Sequence, residues 1–105
     1  MERYLWKAKL KAGKREEYIR RHNEIWADLV SVLKQAGIKN YSIWLSGNDI
    51  IGYYECEKGV EYAGKTQASS EVVAKWNLYM QDVMDMDTDE KTGAQPLLEQ
   101  VFYLD

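Results

Sequence analysis

The chain has 105 residues, of which 46% are apolar and 30% are charged, and its formal net charge at pH 7 is −3. This length fits a single domain over residues 1–105, and the negative charge argues against general nucleic-acid binding, which needs a basic face. No apolar run approaches the about 18 residues of a membrane-spanning helix, and the N-terminus lacks the apolar block of a secretory signal, so we expect a cytoplasmic protein without a membrane partner.

The first two elements are indicated by a change of apolar period. Residues 3–11 alternate between apolar and charged side chains, which predicts a half-buried strand. One face of this strand carries Tyr4, Trp6, Ala8 and Leu10. From Lys14 the apolar residues recur at steps of three and four until Gly37, a residue suited to a C-cap. The pattern predicts one long helix between Lys14 and Gly37.

The remaining elements follow from residue types and turn signals. Residues 41–45 and 49–57 are rich in β-branched and aromatic residues and are joined by a short polar turn, which predicts a hairpin. A weak helical turn is indicated over residues 60–67, and a second main helix over 70–84, opened by serine caps. The acidic stretch 85–95 is predicted to be a loop, and residues 97–104 a closing strand.

The order strand, helix, strand, strand, helix, strand is that of the split β-α-β, ferredoxin-like motif. It predicts an α+β fold with an antiparallel sheet and helices on one face. The other face must be polar or find a partner, and aromatic residues on the strands favour a homodimer of the dimeric α/β-barrel type, packed through sheet faces or swapped edges. These aromatic residues are Trp44, Tyr53 or Tyr54, and Tyr103.

Charge and cysteine content exclude several kinds of site. Arg15, Arg20 and Arg21 are interleaved with acidic residues, and we interpret them as solvated. The single cysteine, Cys56, cannot form an internal disulfide, and no Cys or His spacing indicates a metal site. The four Trp and eight Tyr residues fit either a carbohydrate site or aromatic core packing.

The single histidine is the most informative residue. Tyr18, His22 and Trp26 lie at positions i, i+4 and i+8, on the helix face that points toward the sheet. A buried imidazole needs hydrogen-bond partners, so His22 is either satisfied in the core or faces a cavity as a general acid or base. Nucleophile motifs and phosphate-binding glycine loops are absent from the sequence. The chemistry left open is proton transfer on a small molecule without a cofactor.

Four blocks along the chain resemble the L-rhamnose mutarotase family. They are EYIRRHNEIWADL (17–29), NYSIWL (40–45), KWNLYM (75–80) with DVM (82–84), and VFYL (101–104). The first block contains the pattern Y-x-x-R-H-x-x-I-W, and the similarity runs over essentially the whole length.

The resemblance implies a fold, an activity and a set of site residues. It implies a small cytoplasmic homodimer of ferredoxin-like fold that interconverts the α and β pyranose anomers of L-rhamnose. It further implies that His22 is the proton donor. Our hypothesis is that protonated His22 donates to the ring oxygen, while a tyrosine hydroxyl, a carboxylate or water takes the anomeric proton. Tyr18, Tyr41 and Trp76 would bind the sugar.

Three departures from the family pattern bear on the substrate. Asn77 stands where the family usually has a second tryptophan that touches the sugar, Ala27 replaces a usual proline, and the acidic loop 85–95 replaces an Asn-Pro-Asp-Asn turn. Because an amide selects a different hydroxyl pattern from an indole, Asn77 is a further candidate substrate-binding residue. L-fucose or another 6-deoxyhexose is then an alternative substrate.

Three other interpretations share the same fold. They are a small monooxygenase, a ligand-binding module without catalysis, and a structural dimer in which His22 is only a core residue.

Overall fold

The computed structural model describes residues 1–86 and 98–104, which form an α+β domain. The strands of this part are β1 (Glu2–Leu10), β2 (Ile38–Ser46), β3 (Asp49–Cys56) and β4 (Met84–Met86). Its α-helices are α1 (Arg15–Asn23), α2 (Ala27–Gln35), α3 (Val60–Ala68) and α4 (Glu71–Tyr79), and a 3₁₀ turn (Met80–Asp82) follows α4. No helix among the described residues is long and apolar enough to cross a bilayer.

The four strands form one antiparallel sheet in the order β2-β3-β1-β4. This is the ferredoxin-like arrangement, so the predicted fold class is confirmed. The hairpin between β2 and β3 is also present, with Gly47 at its turn in a left-handed conformation (φ 59°). The β2–β3 register shifts between Lys39 and Ser42, close to the position of Tyr41.

The two faces of the sheet differ in burial, as the alternation predicts. On β3 every second residue is buried beneath the helices, from Ile50 to Cys56. On β1 the same face carries the buried Ala8 and Leu10. The opposite face, which we call the open face, exposes Leu5 by 38% and Trp44 by 66%.

The single long helix predicted between Lys14 and Gly37 is wrong, because the chain forms two helices there. α1 ends at Asn23, and Trp26 adopts an extended conformation (φ −65°, ψ 133°) before α2 begins. This turn lets the Trp26 ring stack on Tyr79 at a centroid distance of 5.4 Å. Tertiary packing therefore overrides the helical periodicity of residues 24–26. The predicted end at Gly37 is confirmed, since Gly37 has a φ of 78° after α2.

The prediction for the C-terminal third is partly wrong. α3 and the Ser70 cap of α4 are confirmed, and the Ser70 hydroxyl accepts a hydrogen bond from the Val73 amide. The helix predicted to run to residue 84 ends earlier, since residues 84–86 form β4 beside β1. Residues 98–104 form no strand, so the predicted closing strand is wrong over this range; residues 87–97 lie outside the described part.

Candidate active site

A cavity of about 1370 Å³ lies between the helix-covered face of the sheet and helices α1, α2 and α4. Inward-facing residues of the strands form the floor of this cavity, and inward-facing residues of the helices form its walls. Residues that are distant in sequence therefore meet there. All five residues predicted for the site line this cavity. They are Tyr18, His22, Tyr41, Trp76 and Asn77.

The His22 imidazole is oriented by its own helix. Its Nδ1 lies 2.9 Å from the carbonyl oxygen of Tyr18, one turn earlier in α1. A carbonyl can only accept a hydrogen bond, so Nδ1 carries the hydrogen and the Nε2 of the neutral ring keeps its lone pair. Burial lowers the pKa of His22 below its ordinary value, and the weaker effect of the Tyr18 carbonyl opposes this. The imidazole is therefore predominantly neutral at pH 7, with a proton-accepting nitrogen.

Aromatic rings flank His22 on two sides. The ring of Tyr18 lies 4.2 Å from it, and Trp76 meets it edge to face at 5.5 Å between centroids. Trp76 is in turn held by Trp26, which contacts it edge to face at 5.0 Å. Trp26, interpreted from the sequence as an inward residue, thus supports the site from behind and does not line the cavity.

Tyr41 enters the cavity from β2, on the sheet side. Its hydroxyl accepts a hydrogen bond of 3.0 Å from Nε1 of Trp6. Desolvation of the hydroxyl raises the pKa of Tyr18, which is buried, and of Tyr41, which is 37% exposed, well above the ordinary value, and it raises that of Tyr54 to about 12. The three hydroxyls consequently stay protonated at neutral pH and serve as hydrogen-bond donors and acceptors, not as bases.

Asn77 and the residues around it form the rim of the cavity. Asn77 follows Trp76 on α4 and its side chain is exposed, at the edge of the lining. A polar amide in this place adds both a donor and an acceptor where a tryptophan would offer only one donor.

Sequence reasoning missed part of the lining on the sheet side. Tyr4, Trp6 and Tyr54 line the cavity, and Tyr54 packs against Tyr41 at 5.0 Å between centroids. The strand alternation had already placed Tyr4 and Trp6 on the inward face. The alternation could not predict the strand register that brings β1 and β3 beside Tyr41.

The interpretation of Arg21 as a solvated residue is wrong. Arg21 is 8% exposed, and its guanidinium binds both carboxylate oxygens of Asp82, at 2.8 and 3.2 Å. It also donates to the Tyr79 carbonyl at the end of α4 (2.8 Å) and to Glu17 (2.7 Å). Arg21 therefore joins α1, which carries His22, to the end of α4, which carries Trp76.

Besides His22 and the tyrosines, the ionisable residues that line the cavity are three lysines and one carboxylate among the described residues. Asp85 is the one carboxylate in the lining formed by residues 1–86 and 98–104, and it pairs with Lys11 at 3.6 Å. Within the same residues, no three His, Cys, Asp or Glu side chains are grouped so as to hold a metal ion. Among these residues His22 is thus the group best placed to exchange a proton near neutral pH.

The fold and this site together define a ferredoxin-like α+β domain with an aromatic cavity suited to a small polar molecule. The family model for L-rhamnose mutarotase matches residues 3–104. The chain therefore belongs to the L-rhamnose mutarotase family, whose members are carbohydrate isomerases of the epimerase type.

Individual relatives agree with this assignment. The chain is 36% identical to an L-rhamnose mutarotase of Sinorhizobium fredii, with 99% of both chains covered. It is 41% identical to one of Pectobacterium carotovorum, with 86% of both covered. The crystal structure of an L-rhamnose mutarotase from Formosa agariphila superposes with a TM-score of 0.80 at 30% identity, covering 100% of both chains.

Proposed function

We propose that this protein is a mutarotase that interconverts the α and β pyranose anomers of L-rhamnose, with His22 as the proton-transfer residue. One observation carries the proposal: a neutral imidazole, with Nδ1 bound to the Tyr18 carbonyl, lies in an aromatic cavity with Nε2 left for a substrate. Membership of the mutarotase family supplies the substrate class.

His22 acts first as a base and then as an acid. Nε2 takes the proton of the anomeric hydroxyl, the bond between the anomeric carbon and the ring oxygen breaks, and an aldehyde forms. The imidazolium then donates the same proton to the ring oxygen that has been released. Rotation of the aldehyde and the reverse sequence close the ring on the other face. The anomeric and ring oxygens are bonded to one carbon, so one nitrogen reaches both.

This sequence needs no second titrating group. The hydroxyls of Tyr18 and Tyr41 remain protonated, and the Asp85 side chain is 70% exposed and pairs with Lys11 at 3.6 Å. The tyrosines instead supply hydrogen bonds that hold the sugar and stabilise the developing oxyanion.

The sugar is bound by Trp76, Tyr18, Tyr41 and Asn77. The Trp76 ring packs against the apolar part of the 6-deoxy sugar, including its methyl group, and the two tyrosines orient its hydroxyls. Asn77 adds a hydrogen bond at the rim. L-rhamnose is the proposed substrate, and L-fucose is the comparison that tests the selectivity contributed by the amide.

The experiment is exchange NMR of the two anomers at equilibrium, for L-rhamnose and L-fucose, with and without catalytic amounts of protein. We expect faster exchange for L-rhamnose, and a loss of about 10²- to 10⁴-fold in His22→Asn, whose amide still donates to the Tyr18 carbonyl. No acceleration of either sugar would contradict the proposed function. Equal rates for wild type and His22→Asn would contradict the role of His22.

We propose a homodimer packed through the open face, where Leu5 and Trp44 are exposed and the Tyr103 ring covers the Arg3 guanidinium at 3.5 Å. We also propose a cytoplasmic location, which membership of the L-rhamnose mutarotase family favours.

A further inference from the structure

Trp6 is held in the floor of the cavity by a glycine on the neighbouring strand. Trp6 of β1 is paired directly with Gly52 of β3. A Cβ atom at Gly52 would lie 2.0 Å from Cε2 of the Trp6 indole, far inside van der Waals contact. The φ angle of Gly52 is not in the left-handed region, so the backbone does not require glycine here. Gly52 is therefore needed for space, and the indole fills that space.

In this position the indole of β1 reaches past β3 to β2. Its Nε1 donates to the Tyr41 hydroxyl at 3.0 Å, across the width of β3. Both side chains line the cavity that contains His22. A rigid indole, held by a close backbone contact, fixes the Tyr41 hydroxyl oxygen more firmly than a flexible donor would.

The direction of this hydrogen bond determines what the hydroxyl can offer a ligand. A phenol that accepts one hydrogen bond still has its own hydrogen to donate. Among the described residues, the Tyr41 hydroxyl has no other hydrogen-bond partner. Its O–H is thus free to point into the cavity.

We propose that Trp6 is a positioning residue that acts through Tyr41, presenting the Tyr41 hydroxyl as a hydrogen-bond donor to a substrate oxygen, and that Gly52 is required for this arrangement. The inference rests on the proposed mutarotase function and deepens it. Trp6 itself does not touch the reacting atoms.

The functional test replaces Trp6 by phenylalanine, which keeps an aromatic ring but removes the N–H. Because one neutral hydrogen bond is lost, we expect the KM for L-rhamnose to rise about 3- to 10-fold, with a smaller effect on kcat. Tyr41→Phe is expected to do the same, and the double variant to be no worse than Tyr41→Phe alone. Trp44→Phe, the same change on the open face, is the matched control and should stay within about twofold of wild type.

A structural role for Trp6 would give a different pattern. The effect of Trp6→Phe on KM would then add to that of Tyr41→Phe. A lower melting temperature would not distinguish the two roles, because phenylalanine does not fill the space that the indole occupies above Gly52. Additive effects, or an unchanged KM in Trp6→Phe, would overturn the proposal.

A second measurement is independent of catalysis. In ¹⁵N-labelled protein the Trp6 indole N–H signal is the one missing from the spectrum of Trp6→Phe, and we expect Tyr41→Phe to shift it upfield as the hydrogen bond is lost. An unshifted signal would refute the contact.

If the wild type accelerated no anomer exchange, the mutarotase proposal would fail, and the dissociation constant for L-rhamnose, measured by titration, would replace KM. Equal binding by wild type and Trp6→Phe, or no binding by either, would overturn the positioning role.

Discussion

His22 is partly buried among aromatic rings, and this desolvation disfavours its protonated form. If the neutral ring is the form that starts the reaction, kcat is constant near neutral pH and falls as acid protonates Nε2. Because the pKa of His22 is lowered from 6.5, the midpoint of this fall is expected below pH 6.5. The measurement is kcat from exchange NMR between pH 5 and 8, after subtraction of the uncatalysed rate at each pH.

His22→Asn is the control for this profile, since its residual rate should show no such midpoint. A rate that rose on acidification would mean that the imidazolium is the starting form. The order of the two proton transfers would then be the reverse of the one proposed.

Among the individual site residues, those on α1 could be predicted from the sequence better than those on the sheet. Tyr18 and His22 are one helical turn apart, so their shared face follows from helix geometry alone. The contact between Trp6 and Tyr41 requires three strands in a particular register, and no local pattern encodes that register. Gly52 was the available signal, because glycine inside a strand often marks the close approach of another group.

The turn between α1 and α2 is the element that periodicity could not predict. The apolar spacing continues through residues 24–26, and no proline in residues 24–27 marks an interruption. The chain nevertheless leaves the helix there, because Trp26 packs on Trp76 and Tyr79. An interruption caused by distant side chains leaves no local signal.

Ala27 is the first residue of α2, a position that suits proline. The extended conformation of Trp26 is also the one that a following proline favours. Ala27→Pro is therefore expected to raise the free energy of unfolding by about 0.4–1 kcal/mol, since it restricts the unfolded chain. Urea denaturation followed by circular dichroism measures the change.

The matched control is Ala74→Pro inside α4. The Ala74 amide donates to the Ser70 carbonyl at 3.1 Å, so this proline removes a hydrogen bond and should destabilise by about 3 kcal/mol or more. Destabilisation by Ala27→Pro would show that the Ala27 position is not a helix start in solution.

Arg21 and Arg20 are neighbours on α1, and their contributions to the stability of the contact between α1 and α4 can be compared. Arg21 is buried and satisfies the C-terminal carbonyl of α4, whereas the side chain of Arg20 is 54% exposed and forms its ion pairs with Glu17 and Glu24. Arg21→Met is expected to lower the free energy of unfolding by about 1–3 kcal/mol, because hydrogen bonds between two elements are lost. Arg20→Met should change it little, since exposed ion pairs contribute little. Equal losses in the two variants would contradict the joining role of Arg21.

For the whole molecule, the order and faces of the first three strands could be predicted because alternation specifies which residues are buried. The last strand could not be predicted in this way. Residues 101–104 have strong β-propensity, yet propensity does not say which segment pairs with β1, and the short stretch Met84–Met86 does so. In the structure, Val101, Phe102 and Leu104 are 77–89% exposed.

Exposed apolar groups on the open face are expected to be covered by a second copy of the chain. Sedimentation velocity should give a mass of twice the 12.3 kDa of one chain. Trp44→Glu places a charge on that face and should shift the population toward monomer, because a buried carboxylate without a partner is costly. Leu78→Glu on α4 is the matched control, since Leu78 is 67% exposed and Trp44 66%, and it should leave the mass unchanged. A monomeric wild type, or dissociation by Leu78→Glu alone, would mean that the open face is not the interface.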